Sequence, residues 1–416
     1  MNPTRRAVLA GLASLVALPR LLRAADAPTT GRRFLFVTTP GGWDPLSALA
    51  PVYGAAGVQM PAGSGAATSG GLDWVDTGAP NVRAFFEAWH GATHLVRGLS
   101  VPSVSHEVCT RLSLTGTVGA DRPDWPSQIA AADRSAAVPS LVLAGPSFPG
   151  ALGAASARAG GDGQLQALID GTIFDRTDEP LPVPFSPTTE RLLDRYTLAR
   201  TAARADAAAG LAGAALPAAW HAASTRASAL RDASFDVNLA VAGDLPGQLD
   251  LAATLLQRGI ARCVSVSSGG YGGWDSHQNN DNTQVALFDA LLRDLTRLAE
   301  RLASTPGADG GTLLDEVTVV VLSEMGRTPT YNGNAGRDHW PFTTALLLGA
   351  GVAGDRVTGG YDDAGFGRPI HLASGAPDAA GVVPTVEHLG ATLLTLAGVD
   401  PDSILPGVPA LTSVLA

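Results

Sequence analysis

The feature that most constrains the fold is an apolar run, Val317–Leu322, that is followed at once by charged residues. Six residues of Val, Thr and Leu without polar alternation are typical of a strand buried on both faces, as in a parallel sheet covered by helices. The run ends in the segment SEMGR, where Glu324 and Arg327 appear abruptly. Because ligands of open α/β sheets bind beyond the carboxyl ends of the strands, we expect chemistry directly after this strand.

Apolar runs alternate with amphipathic segments along the rest of the chain. Further strands are predicted at Arg33–Thr38 and at residues 94–96, 140–144, 261–267 and 344–348, with helices between them. This alternation predicts the α/β class with a mostly parallel central sheet. Residues 352–360 are predicted to form a hairpin. An Ala-rich stretch without a motif, at about residues 145–242, is predicted to be a helical insertion or cap.

Residues 1–27 have the pattern of a twin-arginine export signal. Arg5 and Arg6 precede a short apolar stretch, and Ala25-Asp26-Ala27 offers a small-x-small cleavage site. The alternative is a membrane anchor, but the apolar stretch is too short to span ~30 Å of hydrocarbon. We therefore predict a signal peptide, 1–27, and one mature domain, 28–416, that is periplasmic or secreted and does not span a membrane.

Composition excludes several classes of function. The net charge is −10 and there is no basic run, which argues against nucleic-acid binding. All 28 basic residues are arginine, so neither a Schiff-base lysine nor a P-loop lysine is available. The two cysteines, Cys109 and Cys263, form either a disulfide of an oxidising compartment or two buried thiols.

Carboxylates and imidazoles follow three of the predicted strands, and a later loop returns two more to the same edge. Because parallel strands bring their carboxyl ends together, these side chains are expected to converge. They are the ligand types of zinc, manganese and similar ions. Two ions about 3.5–4 Å apart would suit phosphoryl or sulfuryl transfer. The predicted metal ligands are Asp44, Asp275, His277, Glu324, Asp338 and His339.

Each candidate also has a structural interpretation. Asp44 would cap a helix, Glu324 and Arg327 would form an ion pair, and the Asp-His pairs would be hydrogen-bonded loop residues. Ser105 is predicted at the start of a helix, where free N–H groups stabilise an anion, so it is the candidate nucleophile. The alternative is that Ser105 is only an N-cap.

These motifs together resemble the DUF1501 family, within the alkaline phosphatase-like superfamily. The segments that carry the resemblance are GGWD at 41–44, SH at 105–106, GGWDSH at 272–277, SEMGRTP at 323–329 and GRDHW at 336–340. Residues 384–400 are similar to the closing helix of sulfatases and phosphatases. The resemblance covers about residues 32–416. It implies a three-layer α/β/α sandwich with a metal-dependent hydrolase site, holding one or two ions of zinc, manganese or calcium.

The chain departs from the superfamily at two places. The superfamily has Asp-His where this chain has Glu324-Met325, so either His339 supplies the imidazole or one metal site is lost. The segment that begins at Cys109 lacks the proline of the formylglycine sulfatase motif, which argues against that class.

Two functions follow from these residues. The first is an exported metal-dependent hydrolase of phosphate or sulfate esters, small or glycan-linked, in which Arg327 clamps the anion and Ser105 or an activated water attacks. The alternative is a catalytically silent binding protein on the same scaffold, whose partner is an envelope protein or a glycan. A purely structural ionic network of Glu324, Arg327 and Asp338 is the third interpretation.

Overall fold

The computed structural model describes residues 31–159, 186–211, 213–233, 240–270 and 273–416. The predicted export signal and part of the predicted helical insertion lie outside these residues, so export stays a prediction. Within the described residues we find no helix whose length and hydropathy would suit a membrane span.

The described strands lie in one large sheet and two small hairpins. They are β1 (Arg33–Thr38), β2 (Gly65–Ser69), β3 (Leu72–Asp76), β4 (Thr93–Ser100), β5 (Ser140–Val142), β6 (Ser156–Arg158), β7 (Cys263–Ser267), β8 (Val317–Leu322), β9 (Gly326–Arg327), β10 (His339–Trp340), β11 (Phe342–Gly349) and β12 (Arg356–Gly359). The large sheet has the order β12-β4-β11-β8-β1-β7-β5-β6, while β2–β3 and β9–β10 pair separately.

The large sheet is mostly parallel. Only β11 runs against its neighbours, β4 and β8, which confirms the predicted class. The predicted hairpin at residues 352–360 is wrong, because this range contains one strand, β12, which pairs in parallel with β4. Strand β4 is buried almost throughout, so both of its edges need a hydrogen-bonding neighbour, and β12 supplies the second one.

Helices cover both faces of the sheet. They are α1 (Pro80–Trp89), α2 (His106–Thr115), α3 (Trp125–Ala132), α4 (Pro187–Ala208), α5 (Ala215–Ala233), α6 (Leu245–Gln257), α7 (Asn280–Ser304) and α8 (Val386–Leu396). Alternate side chains of β1 enter two separate cores, since Leu35 and Val37 pack with α1, α6 and α7 while Phe34 and Phe36 pack with α2, α3 and α8. The result is the expected three-layer α/β/α sandwich.

The predicted insertion is only partly described. Within its range, Ser156–Arg158 pairs with β5 and extends the large sheet, whereas α4 and α5 pack on each other. A helical insertion as a separate unit stays a prediction.

Cys109 and Cys263 are buried free thiols of the same core. Burial raises the pKa of Cys109 to about 11 and that of Cys263 to about 12, so both remain protonated at neutral pH.

Three central strands end in register at one rim of the sheet. Thr38, the last residue of β1, lies opposite both Ser267 of β7 and Leu322 of β8. Strand β4 runs in the same direction and leads into α2. The loops after these four strands therefore meet at one edge, as the sequence predicts.

Candidate metal centre

Glu324 lies at the bottom of this edge and is almost fully buried. Its carboxylate accepts hydrogen bonds from the N–H groups of Gly41 (2.8 Å) and Gly42 (3.3 Å) and from the Ser323 hydroxyl (3.0 Å). Both glycines have positive φ, 120° and 76°, which lets two successive N–H groups point at one anion. The fourth donor is the Nδ1 of His106, 2.7 Å away, so Glu324 fixes the orientation of that ring.

Three imidazoles are anchored in the same way. In each one Nδ1 faces an oxygen that can only accept, so Nδ1 carries a proton and Nε2 is the ring atom that would bind a cation. The anchoring contacts are His106 to Glu324 (2.7 Å), His277 to Asp338 (2.9 Å) and His339 to the backbone oxygen of Val104 (2.7 Å).

The Nε2 atoms of these three rings converge on Asp275. Its Oδ1 lies 3.1 Å from the Nε2 of His277 and 3.2 Å from that of His339, and the two nitrogens lie 3.0 Å apart. Its Oδ2 lies 3.5 Å from the Nε2 of His106. Ligand atoms of His106, Asp275 and His339 all lie within 4.8 Å of one another. Lone pairs and a carboxylate at these distances repel one another unless a cation or proton lies among them.

This arrangement fits a divalent ion. Four ligands about 2.0–2.1 Å from a tetrahedral zinc lie roughly 3.3–3.4 Å from one another. The triangle formed by Asp275, His277 and His339 has edges of 3.0, 3.1 and 3.2 Å, close to one face of such a tetrahedron. Hydrogen bonds from the distal ring nitrogen to carboxylates and carbonyls are typical of metal-binding histidines.

The local charges shift three pKa values. The hydrogen bond to Glu324 raises the pKa of His106 against the opposing effect of burial, with further contributions from the Glu324 and Asp275 charges. For Asp275 burial raises the pKa, but the hydrogen bond to Arg327 and its charge outweigh burial and lower it overall. The hydrogen bond from His277 lowers the pKa of Asp338. Asp275 and Asp338 are therefore ionised at neutral pH.

Arg327 holds Asp275 in place. Its Nη2 donates to Asp275 Oδ1 (2.5 Å) and to the oxygen of Gly41, its Nε donates to Gly42 O (2.8 Å), and its Nη1 donates to Arg337 O (3.1 Å). The side chain has no exposed surface. Its contacts favour a positioning role, and the predicted role as an anion clamp stays a prediction.

The β9–β10 hairpin explains how Arg327 and His339 reach the same carboxylate. The two residues are directly opposite each other in the antiparallel pair, so their side chains lie on one face. The loop between these strands packs closely on the loop that carries Asp275 and His277. A Cβ at Gly336 would lie 1.9 Å from the backbone oxygen of His277, so this approach requires glycine.

Asp44 lies outside the cluster. It is fully buried and accepts hydrogen bonds from Leu46 N, Ser47 Oγ and Asn280 Nδ2, and it forms an ion pair with the buried Arg337 at 3.1 Å. These contacts favour the capping interpretation, and a metal role for Asp44 stays a prediction.

Ser105 occupies the N-cap position of α2 but makes no capping hydrogen bond through its side chain. Its exposed hydroxyl donates to Glu107 at 3.0 Å. Because it lies between Val104, which anchors His339, and His106, it is held at the edge of the cluster. Its role as the nucleophile stays a prediction.

The structure thus divides the predicted ligands into three groups. Asp275, His277 and His339 converge, whereas Glu324 and Asp338 contact the distal nitrogens of imidazoles and Asp44 lies elsewhere. Sequence reasoning missed His106 as a candidate ligand, although the motif SH at 105–106 contains it. His106 reaches the cluster because its Nδ1 contacts Glu324 at 2.7 Å.

Three solved structures are distantly similar to this chain. A protein in the alkaline phosphatase superfamily from Vibrio parahaemolyticus is 12% identical, with a TM-score of 0.40 and coverage of 100% of this chain and 80% of that one. Ps i-CgsB, in complex with k-i-k-neocarrahexaose, is 10% identical (TM-score 0.37, coverage 91% and 74%). BT4656, in complex with its substrate D-glucosamine-2-N,6-O-disulfate, is 10% identical (TM-score 0.35, coverage 91% and 81%). These TM-scores are too low to carry an argument about this chain.

Comparison of the sequence itself is more specific. None of the curated proteins matches the chain. Residues 90–409, however, match the family model described as "Protein of unknown function (DUF1501)". This range includes all four residues of the cluster, and it covers most of the chain. The chain therefore belongs to the DUF1501 family.

Proposed function

We propose that this protein is an exported, metal-dependent hydrolase of phosphate or sulfate esters. The observation that carries the proposal is the convergence of three imidazole Nε2 atoms on Asp275, each ring anchored at Nδ1. His106, His277, His339 and Asp275 would hold the ion. A divalent ion held there supplies Lewis-acid stabilisation of the anionic oxygens of an ester.

The candidate ligands are preorganised by neighbouring side chains. Arg327 fixes Asp275, and Glu324 fixes His106, so neither ligand has to reorganise when substrate binds. The Ser105 hydroxyl is exposed beside the cluster, and Glu107 is the acceptor positioned to receive its proton during attack. The substrate is proposed to be a small-molecule or glycan ester.

The second candidate function is a catalytically silent envelope protein that binds a glycan or a protein partner on the same scaffold. One observation favours it. The guanidinium of Arg327 has no exposed surface, and its contacts are already made to Asp275 and to backbone oxygens. An ester hydrolase needs a cation to bind the anionic group of its substrate. If no metal ion is bound, Arg327 does not supply that cation, and hydrolysis is not expected.

Activity on a panel of phosphate monoesters, phosphate diesters and sulfate esters tests the proposal. We expect hydrolysis by the metal-loaded protein, loss of hydrolysis in Asp275→Ala, and retention in His371→Ala, which removes an exposed imidazole outside the cluster. The unfolding midpoint of each variant checks that the fold is intact. No hydrolysis of any ester by protein that carries its metal would refute the enzyme and favour the binding protein.

A further inference from the structure

The donor atoms of the cluster indicate which type of metal ion it binds and the number of ions. We infer that the site holds a single ion of the nitrogen-preferring transition metals, with zinc as the reference, and does not select calcium, magnesium or a pair of ions. This inference rests on the metal-dependent function proposed above and deepens it.

The donor set of the cluster favours a nitrogen-preferring ion. Three imidazole nitrogens and one carboxylate converge, whereas calcium takes six to eight oxygen ligands and magnesium a near-octahedral oxygen shell. Imidazole suits zinc, copper, iron and nickel, and carboxylates or carbonyls suit calcium, magnesium and manganese. The nearest further carboxylates, Glu324 and Asp338, point at the distal nitrogens of His106 and His277.

The side chains around the cluster leave few ligands for a second ion. A second ion about 3.5–4 Å away would need ligands of its own. Glu324 is already bound by four donors, the N–H groups of Gly41 and Gly42, the Ser323 hydroxyl and the His106 ring. Among the described residues, the potential ligands close enough together to hold an ion are His106, Asp275 and His339, and His277 adjoins this group through its contacts with Asp275 and His339.

The carboxylates that contact Nδ1 of His106 and His277 strengthen these rings as ligands. A carboxylate on Nδ1 makes Nε2 a stronger donor and fixes the ring, and losing such a contact costs about 10–100-fold in metal affinity. Two of the three rings have such a carboxylate. Glu324 and Asp338 therefore act as positioning residues for the ion.

Metal-free protein dialysed against zinc, with calcium and magnesium in large excess, tests the inference. We expect one equivalent of zinc per chain, undiminished by the competing ions. Cobalt substitution provides an optical readout, since a nitrogen-rich four- or five-coordinate site gives visible bands stronger than those of an octahedral oxygen site. Asp338→Asn is expected to weaken zinc binding by about 10–100-fold, and His277→Ala by more than that. The Asp338 side chain is 58% exposed, so its variant keeps the fold even if the His277 variant does not.

The outcomes separate this inference from the proposed function. Displacement of zinc by calcium, or binding of two equivalents, would overturn the single nitrogen-preferring site while leaving a metal-dependent hydrolase in place. Binding of no metal at all would overturn both. Unchanged zinc affinity in Asp338→Asn, with His371→Ala as the matched control, would overturn the positioning role of the distal carboxylate.

Discussion

Replacing the buried Glu324 by Gln tests how the carboxylate supports the cluster. The carboxylate accepts four hydrogen bonds, two at each oxygen. An amide leaves one oxygen. Its NH₂ group faces either the N–H groups of Gly41 and His106, or the Gly42 N–H and the Ser323 hydroxyl, so at least one N–H donor loses its acceptor. Hydrogen bonds to a charged group contribute about 1.5–3 kcal/mol each, so the metal-free protein should lose on the order of 3 kcal/mol of unfolding free energy. Loss of the charged acceptor of His106 should also weaken zinc binding by about 10–100-fold.

The matched control lies at the other end of the same strand. Glu316 precedes β8 and pairs with Arg33 at 2.7 Å, so Glu316→Gln makes the same chemical change far from the cluster. Zinc affinity is measured by competition with a chromophoric chelator, and stability by urea unfolding without metal. The reasoning would be refuted if Glu324→Gln bound zinc as tightly as the unchanged protein, or if both variants weakened binding equally.

Three further predictions concern stability and thiol reactivity. Arg337→Met leaves the buried charge of Asp44 without its ion-pair partner, so urea unfolding should show a loss of about 3–5 kcal/mol. Burial lowers the pKa of His94 from 6.5 to about 4. The neutral ring therefore contributes about 3 kcal/mol to the free energy of unfolding above pH ~6.5, and this contribution is lost as the pH falls towards 4. His94→Gln should flatten that part of the pH–stability curve, and an unchanged slope would contradict the assignment. Cys109 and Cys263 should resist a disulfide reagent at neutral pH and react once urea unfolds the chain; rapid reaction of the native protein would contradict their burial.

Sequence predicts the parts of the fold in which the burial of a continuous apolar run decides the structure. The bounds of β1 and β8 match the prediction, because continuous apolar runs in a covered sheet have no other stable placement. The partner of β12 could not be predicted. Its sequence fits a hairpin with β11 as well as a parallel pair with β4, and only the order of the whole sheet decides between them.

The site was predictable to the extent that strand ends specify it. Asp275, His277 and His339 follow from their position after strands or on the returning loop. His106 does not, because a histidine at the start of a helix has many ordinary roles and its approach to Glu324 depends on β4 joining the same sheet. Asp44 follows a strand, as Asp275 does, so its sequence context also predicts a ligand. Its buried ion pair with Arg337 joins residues almost three hundred positions apart, which no local sequence pattern encodes.

The location of a bound zinc ion tests the central claim most directly. Anomalous diffraction from crystals of the zinc-loaded protein should show one ion per chain, within about 2.0–2.2 Å of the Nε2 atoms of His106, His277 and His339 and of an Asp275 oxygen. An ion bound instead through Asp44, or zinc absent from the three imidazoles at full loading, would contradict the account.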